Sequence, residues 1–520
     1  MNLLKKILFL FSVYSFQCSA QSLLFPTEYF FDIYRQKQAF TDTNKNYPVH
    51  VSMQPFEYAP AEKNDSLQYY KEGRKLFARK VFYESLVKIN YRDKSADDAQ
   101  FKLTIDPVFN FQQGMDRSDA SHKKIYTNQR GFWVRGSIND KLKIESAFFE
   151  NQSTFASYAD AYVQANKIVP GQGRWKPFKS NGYDYAFSSG VISYTPCKNF
   201  NVQLGHGKQK VGNGYRSLLL SDNSFNYPFA RITSKFFKGK LQYTNIYALL
   251  MNLNGGGAKS ATGTEAFYQK KAMAIQQVSW QVHKRVNLSF YQGMIWGASD
   301  SMNKQHINIA YLNPIIYTNT AAYGLHNKNN ILIGGDIQIK LFKSIALYGQ
   351  WMIDNIDSIK LKNSDAGIQA GLKYFDAFTL KNLFLQAEVN SINRSPYSSS
   401  YASQRYDHYG QNLAYPLAAY NGKEVVLIAA YKYKRLVVNG KINLFQTDNN
   451  SAKQNLVYGD FKIAYLINPA TNMNLSAGIN YRNFKQTSLG LTGTPSTATL
   501  QNQIFYISLK TSLYNTYWDF

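Results

Sequence analysis

The sequence predicts an all-β protein, a transmembrane antiparallel β-barrel of about 18 strands with long extracellular loops. From about residue 100 onward, stretches of roughly ten residues alternate apolar and polar side chains between turn residues. No stretch has the run of about 18 apolar residues that a membrane-spanning helix requires. Aromatic residues make up 16% of the 520-residue chain, which fits the aromatic girdles of membrane barrels.

The first 20 residues have the pattern of a secretory signal peptide. Two lysines precede an apolar stretch, Ile7 to Phe16, and a small-residue cleavage site comes directly before Gln21. Cleavage there leaves Cys197 as the single thiol, so no intramolecular disulfide can form. We therefore expect an exported protein, and the strand pattern places it in the cell outer membrane.

Residues 21–100 differ from the rest of the chain. Ser66 to Val87 is rich in helix formers, and three prolines lie ahead of it. We expect residues 21–100 to form a small periplasmic segment with one or two helices, and residues 101–520 to form the barrel. A plug segment belonging to the same domain is the alternative interpretation.

The alternating stretches predict about 18 strands, an allowed even number for a bacterial barrel, with 16 or 20 as the alternatives. Their approximate ranges are 101–111, 130–138, 141–150, 185–194, 200–208, 229–236, 241–249, 269–284, 286–296, 330–340, 344–354, 366–375, 383–393, 424–433, 436–446, 459–467, 472–484 and 504–513. Tight turns at Asp140, Lys284-Arg285, Phe342-Lys343 and Lys434-Arg435 alternate with long loops at 151–184, 297–329 and 394–423. We expect the turns on the periplasmic side and the loops outside.

The end of the sequence supports a barrel. The last predicted strand is amphipathic, and the sequence then ends with Tyr517-Trp518-Asp519-Phe520. A terminal aromatic residue after such a strand resembles the signal that the outer-membrane assembly machinery recognises, so that machinery is an expected partner.

The charge pattern narrows the classes of function. Lys and Arg number 59 against 33 Asp and Glu, a formal net charge of +26. These cations are dispersed through the strands rather than clustered on one element, which argues against nucleic-acid binding. We expect part of the charge to meet anionic lipopolysaccharide. The lumen-facing carboxylates Glu388 and Asp354 are expected to pair with Lys and Arg in the lumen.

Catalytic signatures are missing from the sequence. The seven His have no metal-ligand spacing, and neither a nucleophile elbow nor a phosphate loop is present. We therefore expect no enzyme activity, no metal and no cofactor.

Two segments carry dense motifs. The first runs Gly212-Asn213-Gly214-Tyr215-Arg216-Ser217 to Ser221-Asp222-Asn223, and the second contains Arg394, Tyr397 and His408-Tyr409. The chain resembles the Bacteroidetes outer-membrane family that includes the gliding motility protein RemB and the Wzi-like capsule assembly proteins. The resemblance implies a barrel near 18 strands with a small helical periplasmic part. It also implies work in surface polysaccharide attachment or in surface-linked gliding.

Aromatic faces can stack on sugar rings, and Arg can hold acidic groups in a bidentate way. The candidate residues for polysaccharide binding, or for a centre that organises the lumen, are Tyr215, Arg216, Asp222, Asn223, Arg174, Trp175, Arg394, Tyr397, His408 and Tyr409. For Tyr215-Arg216-Ser217 the structural alternative is a folded-in loop that the following leucines pack.

Two classes of function remain from the sequence. The first is a non-catalytic surface protein for acidic capsule or exopolysaccharide attachment or assembly, or for gliding together with the gliding machinery. The alternative is a diffusion porin whose basic lumen favours anions.

Overall fold

A computed structural model of the chain describes most of the sequence. The described residues are 24–41, 49–56, 86–92, 100–119, 124–139, 141–253, 268–298, 309–323, 330–354, 365–394, 396–399, 401–417, 421–449, 452–489, 495–511 and 513–520. The predicted signal peptide and residues 66–85 of the predicted helix lie outside them.

Among the described residues, eighteen long antiparallel strands form a closed barrel. They are β1 (Gln100–Asp116), β2 (Lys124–Ile138), β3 (Leu142–Thr154), β4 (Gly182–Cys197), β5 (Phe200–Gly207), β6 (Tyr227–Phe236), β7 (Leu241–Asn252), β8 (Gln269–His283), β9 (Val286–Gly297), β10 (Asn330–Lys340), β11 (Ile345–Asp354), β12 (Asp365–Phe375), β13 (Leu383–Ile392), β14 (Lys423–Tyr433), β15 (Leu436–Asn449), β16 (Ala452–Asn468), β17 (Met473–Leu489) and β18 (Pro495–Thr511). Each strand pairs with its neighbour in sequence, and β18 closes the barrel by pairing residues 504–510 with residues 110–116 of β1. The predicted fold class is confirmed.

Shorter elements accompany the barrel. The described helices are α1 (Tyr29–Thr41), α2 (Ser157–Asn166) and α3 (Thr318–Tyr323), with 3-10 turns at Ile309–Leu312, Ala377–Thr379 and Ala402–Gln404. Short strand segments are Met53–Gln54, Val87–Arg92, Lys176–Phe178, Lys210–Val211, Asp407–His408 and Gln411–Asn412. Among the described residues, the helices are too short or too polar to cross a membrane.

The strand faces show which side of the wall meets lipid. In β17, Leu475 and Ile479 are 51% and 43% exposed. Asn474 and Ser476, the residues on either side of Leu475, are buried. The same alternation puts Trp351 outside and Gln350 inside on β11. An apolar outer wall around a polar interior is the arrangement of a barrel in lipid. The structure is therefore that of an outer-membrane barrel, as the sequence predicts.

The two ends of the barrel differ. Consecutive strands are joined by short turns at one end, the short-turn end. At the other, the long-loop end, most connections are longer, and the exception is the pair β15 and β16, which are separated by two residues. Exposed aromatic side chains form a girdle at the short-turn end: Tyr194, Phe200, Phe236, Phe237, Trp280, Phe342, Phe378, Tyr431 and Tyr433. In outer-membrane barrels the short turns face the periplasm, which fixes the orientation.

Helix α1 lies inside the barrel. The Tyr29 hydroxyl donates to the side chain of Gln386 on β13, and the Lys373 ammonium of β12 donates to Gln36 at 2.6 Å. Farther along, Met53 pairs with Val211 of an inward-folded loop. The described residues before position 57 therefore fit the plug interpretation rather than the predicted periplasmic segment.

The chain also enters the lumen after its last strand. Strand β18 ends at Thr511, and residues 513–520, the tail, return into the barrel. The ring centroids of Phe520 and of Tyr162 on α2 are 4.7 Å apart, and this contact lies at the long-loop end. Phe520 therefore lies inside the barrel, separated from the closing strand by the tail.

One long segment covers the outer wall instead. In residues 309–323, the Leu312 carbonyl accepts a hydrogen bond from the Tyr247 hydroxyl at 2.9 Å, and Thr320 donates to Gln292 at 2.8 Å. Tyr247 and Gln292 lie on the outward faces of β7 and β9, because their strand neighbours face the lumen. This part of the predicted 297–329 loop therefore packs beside the barrel.

Candidate functional site

The loop between β5 and β6, residues 208–226, folds into the lumen and is called here the Arg216 loop. Gly212 has φ +131°, and an ideal Cβ at Gly214 would lie 2.5 Å from the Glu388 carboxylate. Both positions therefore need glycine for the loop to turn against the wall. Leu218, Leu219 and Leu220 are fully buried and anchor it.

Arg216 is the centre of a buried ion network. Its guanidinium holds Glu424 of β14 in a bidentate arrangement, with Nε 3.2 Å from both carboxylate oxygens and Nη2 2.9 Å from Oε1. Nη1 donates to the Asp519 carboxylate at 3.2 Å, and Nη2 to the Asp519 main-chain oxygen at 3.2 Å. Arg216 is 1% exposed, so this fork fastens the loop and the tail to the wall.

Asp519 links the tail to two further groups. Its carboxylate accepts from the Tyr215 hydroxyl at 2.8 Å and from the Lys441 ammonium of β15 at 2.7 Å. Burial opposes ionisation of this carboxyl, but Arg216 and Lys441 beside it hold the pKa of Asp519 well below its usual range. The network therefore contains a stably ionised carboxylate in the interior.

Glu388 binds main-chain groups of the Arg216 loop. It accepts from the N–H of Tyr215 at 2.7 Å, from the N–H of Arg216 at 3.0 Å and from the Tyr348 hydroxyl at 2.8 Å. Asp354 similarly accepts the N–H of Tyr397 at 2.6 Å. These two carboxylates were expected to pair with lumen cations. Instead they satisfy backbone donors of folded-in loops, which buried N–H groups require.

Asp222 joins the other end of the loop to the tail. One carboxylate oxygen accepts from the Tyr517 hydroxyl and the other from the Asn515 amide, both at 2.7 Å. The neighbouring Asn223 donates to the Asn412 carbonyl at 3.4 Å. Tyr215, Arg216, Asp222 and Asn223 thus lie in one loop, and all four contact other parts of the protein.

The second motif, the Tyr397 loop (residues 393–417), packs on the first inside the barrel. The Tyr397 hydroxyl donates to the Leu218 carbonyl at 2.9 Å, and the Leu413 carbonyl accepts from the Ser221 N–H at 2.6 Å. Tyr397 is 2% exposed. The two motifs, separated by more than a hundred residues in sequence, form one plug.

His408 and Tyr409 stack within the same plug, with ring centroids 4.5 Å apart. The His408 Nδ1 accepts from the Met251 N–H at 3.0 Å, and its Nε2 lies 3.1 Å from the Asn226 carbonyl, so the proton is on Nε2. Burial, followed by the nearby Lys271 ammonium, lowers the pKa of His408 to about 3. His408 is therefore a neutral structural residue of the plug at physiological pH.

The remaining candidates are less buried. The Arg174 guanidinium lies 5.2 Å from the Tyr268 ring centroid, and the Trp175 indole N–H donates to the Val163 carbonyl of α2 at 3.3 Å. Arg394 is partly exposed at the long-loop end. These three positions and Asn223 retain surface that meets solvent, whereas the six other candidates are buried.

A cavity of about 260 Å³, here the tail cavity, lies between the tail and the wall formed by β1–β4 and β15–β18. Tyrosines 158, 185, 458 and 506 contribute aromatic faces to its lining. The amide oxygens of Asn110 and Gln172, which also line it, have no hydrogen-bond partner among the described residues. The cavity therefore offers aromatic faces and free acceptors to a polar ligand.

The sequence interpretation missed several members of the network. Glu424, Lys441 and Asp519 were not singled out, and their partners lie hundreds of residues away, with 208 positions between Arg216 and Glu424. The one available signal was alternation, since Glu424 and Lys441 occupy lumen positions of their strands. No group of three or more potential metal ligands occurs among the residues that the structure describes.

Comparison with solved structures places the fold among known barrels. The chain is similar to Wzi, with a TM-score of 0.53 and 11% identity, over 94% of this chain and 99% of that chain. Wzi is described as an outer membrane protein involved in group 1 capsule assembly in Escherichia coli and as a carbohydrate-binding β-barrel. Pseudomonas aeruginosa OccK8 (OprE) matches with a TM-score of 0.42 and 9% identity, over 79% of this chain and 98% of that chain. Acinetobacter baumannii OccAB2 matches with a TM-score of 0.42 and 9% identity, over 78% of this chain and 97% of that chain. No known family model and no curated protein matches the chain.

Proposed function

We propose that this chain is a non-catalytic outer-membrane barrel that holds or assembles acidic polysaccharide, such as capsule or exopolysaccharide, at the cell surface. The observation that carries the proposal is the tail cavity, because its tyrosine faces and unpartnered amide oxygens suit a sugar. Lys441, Lys462 and Lys510 line it together with the carboxylates of Glu28 and Asp460. Lys441 and Lys462 are paired with Asp519 and Glu28, so Lys510 is the lining cation that we propose for an acidic group of the sugar.

The filled lumen supports a holding role over diffusion. Helix α1, the Arg216 loop, the Tyr397 loop and the tail meet inside the barrel through the hydrogen bonds given above. The likeness to Wzi, a carbohydrate-binding barrel involved in capsule assembly, supports the same proposal. The expected surroundings are outer-membrane lipid, lipopolysaccharide and, during insertion, the assembly machinery.

The alternative is an anion-favouring porin, and the formal charge of +26 is the observation that favours it. Conductance in planar bilayers separates the two. The plugged barrel should conduct little, whereas an open porin would give stable large steps. Large anion-selective steps from the purified intact protein would contradict the holding role.

The cellular test is deletion of the gene. Loss of retained surface polysaccharide is expected, and spreading motility measured in the same strain tests the gliding role that the family resemblance implies. Normal polysaccharide retention would contradict the proposal.

A point variant links the cellular test to the tail cavity. Tyr506→Ser removes an aromatic face from the cavity, whereas Tyr431→Ser removes a tyrosine from the outer girdle. Polysaccharide retention should fall for the first and stay normal for the second, at equal amounts of assembled barrel. Equal retention in both variants would exclude Tyr506 as a contact.

A further inference from the structure

A second and larger cavity lies at the short-turn end, away from the tail cavity. Its volume is about 1120 Å³, and it is here called the basic mouth. Helix α1 forms one wall through Gln36 and Phe40. The other walls are the short-turn ends of β6–β12, with lumen-facing side chains such as Gln338 and Asn287. The cavity is therefore inside the barrel rather than on its lipid face.

The lining of the basic mouth carries one sign of charge. Five cations come from the turns and strand ends at its rim: Lys238, Lys240, Lys284, Arg285 and Lys343. Two more, Lys340 and Lys373, lie deeper. No carboxylate lines the cavity among the described residues. Clustered like charges repel each other, so an arrangement of this kind is stabilised by an anion.

The rim cations differ from those deeper in the cavity. Lys340 donates to the Phe40 carbonyl at 3.1 Å, and Lys373 to the Gln36 side chain at 2.6 Å. The side chains of Lys284, Arg285 and Lys343, by contrast, have no hydrogen bond or ion pair with any described residue. Their donors remain available to a ligand.

We propose that the basic mouth binds a segment of an acidic polysaccharide from the periplasmic side. This inference rests on the proposed function and adds a second contact site for the same polymer. The rim cations would meet its carboxylate, sulfate or phosphate groups through charge-assisted hydrogen bonds. Phe40 and Phe375 add apolar faces, and Gln281, Asn287 and Gln338 add amides, which together suit sugar rings.

The position of the cavity favours a water-soluble glycan over a lipid headgroup. The strand residues that line it, including Gln338 and Lys373, face the lumen and not the outer wall. A headgroup bound there would have to bring its acyl chains into the polar interior, which is unfavourable. A glycan meets no such cost.

The test uses the purified full-length protein and labelled tetragalacturonate as the probe, with maltotetraose as the neutral probe. The triple variant Lys284→Gln/Arg285→Gln/Lys343→Gln should bind tetragalacturonate at least about tenfold more weakly, because three charge-assisted contacts are lost. The matched control Lys381→Gln/Lys434→Gln removes charge from turns at the same end but outside the cavity, and its affinity should stay within about twofold. Maltotetraose should bind equally weakly to all three proteins.

Several outcomes would overturn the inference. Undiminished tetragalacturonate binding by the triple variant would do so, as would equal losses in the control. Binding of short-chain phosphatidylglycerol, but not tetragalacturonate, at the same three residues would identify a lipid site instead. Should the triple variant fail to assemble, Lys343→Gln alone and the salt dependence of binding give the same discrimination.

The inference and the proposed function can fail separately. If the deletion strain retains its polysaccharide while the triple variant loses tetragalacturonate binding, the proposed function is wrong and the anion site stands. If the deletion strain loses polysaccharide but the triple variant binds normally, the basic mouth is not the contact.

Discussion

The cations of the Arg216 network are paired with carboxylates, whereas those at the rim of the basic mouth are not paired with any described residue. Arg216, 1% exposed, faces two carboxylates, and Lys441 faces one of them. At the mouth, Lys284, Arg285 and Lys343 face none among the described residues. A charge in the interior costs several kcal/mol unless it is paired, whereas a solvated charge can stay unpaired. We infer that the Arg216 network stabilises the plug and that the rim cations of the basic mouth are available to bind an anion.

The largest expected effect comes from breaking the network. Arg216→Met leaves Glu424 buried without its cation and leaves Asp519 with Lys441 alone, a loss of about 3–5 kcal/mol. The temperature at which the folded barrel unfolds on gels should fall markedly. Arg285→Met at the mouth is the matched control, and its effect should stay within about 0.5 kcal/mol. Similar losses in both variants would remove the distinction between the two regions.

Arg216→Lys refines the same test. Lysine keeps the charge but cannot reproduce the bidentate fork on Glu424, so an intermediate loss of heat stability is expected. Polysaccharide retention should then follow the amount of assembled protein. A selective loss of retention at normal protein level would instead make Arg216 a glycan contact.

The next effect concerns the wall between mouth and lipid. Ile337 faces outward on β10, and Gln338 lines the basic mouth. Ile337→Arg should reduce assembly, because a cation on the lipid face costs up to about 2–4 kcal/mol at mid-bilayer. Gln338→Arg should assemble normally and strengthen tetragalacturonate binding. Equal assembly defects would mean that the strand faces are wrongly assigned.

Acidification should loosen the plug before it affects the mouth. The pKa of His408 is lowered from 6.5 to about 3, so between these values the unfolded chain binds more protons than the folded chain. Stability is therefore lost as the pH falls through this window, by about 1.4 kcal/mol per pH unit. His408→Gln should show a flatter dependence of heat stability between pH 7 and pH 4.5. Identical slopes would show that His408 is not responsible.

The smallest expected effect is a single charge at the rim. Lys343→Gln should leave heat stability unchanged within about 0.5 kcal/mol, because the side chain has no partner to lose among the residues that the structure describes. Weaker tetragalacturonate binding, diminishing as salt is raised, is the expected readout. A stability loss comparable to that of Arg216→Met would show that Lys343 is part of the packed structure.

The wall of this barrel was predictable from sequence, because each strand carries its own period-two pattern. All 18 predicted strands overlap observed ones. The last three are longer than predicted: β16 begins at Ala452 and β18 at Pro495, where polar residues extend the pairing without apolar alternation. The local sequence pattern could not show these extensions, because they are held by hydrogen bonds to the neighbouring strand rather than by apolar side chains.

The contents of the lumen were largely not predictable. The glycines and leucines around Arg216 suggested a folded-in loop, and the loop does fold in. Glu424 and Asp519, the partners of Arg216, could not be predicted, because no pattern in the sequence near Arg216 specifies them. They come together only when the barrel closes. Helix α1 and the tail lie on either side of the strands in sequence, and only the closed barrel brings them together.

The seam between β1 and β18 has a consequence for stability. The described residues 24–41, which precede β1 in sequence, and the tail, which follows β18, both lie in the lumen. There the Glu28 N–H donates to the Leu513 carbonyl at 3.1 Å and the Tyr29 N–H to the Asn515 side chain at 2.6 Å. The seam is thus fastened from inside by the chain segments that flank it. The plug and the closing seam therefore share stabilising contacts, and a change that loosens one should also loosen the other.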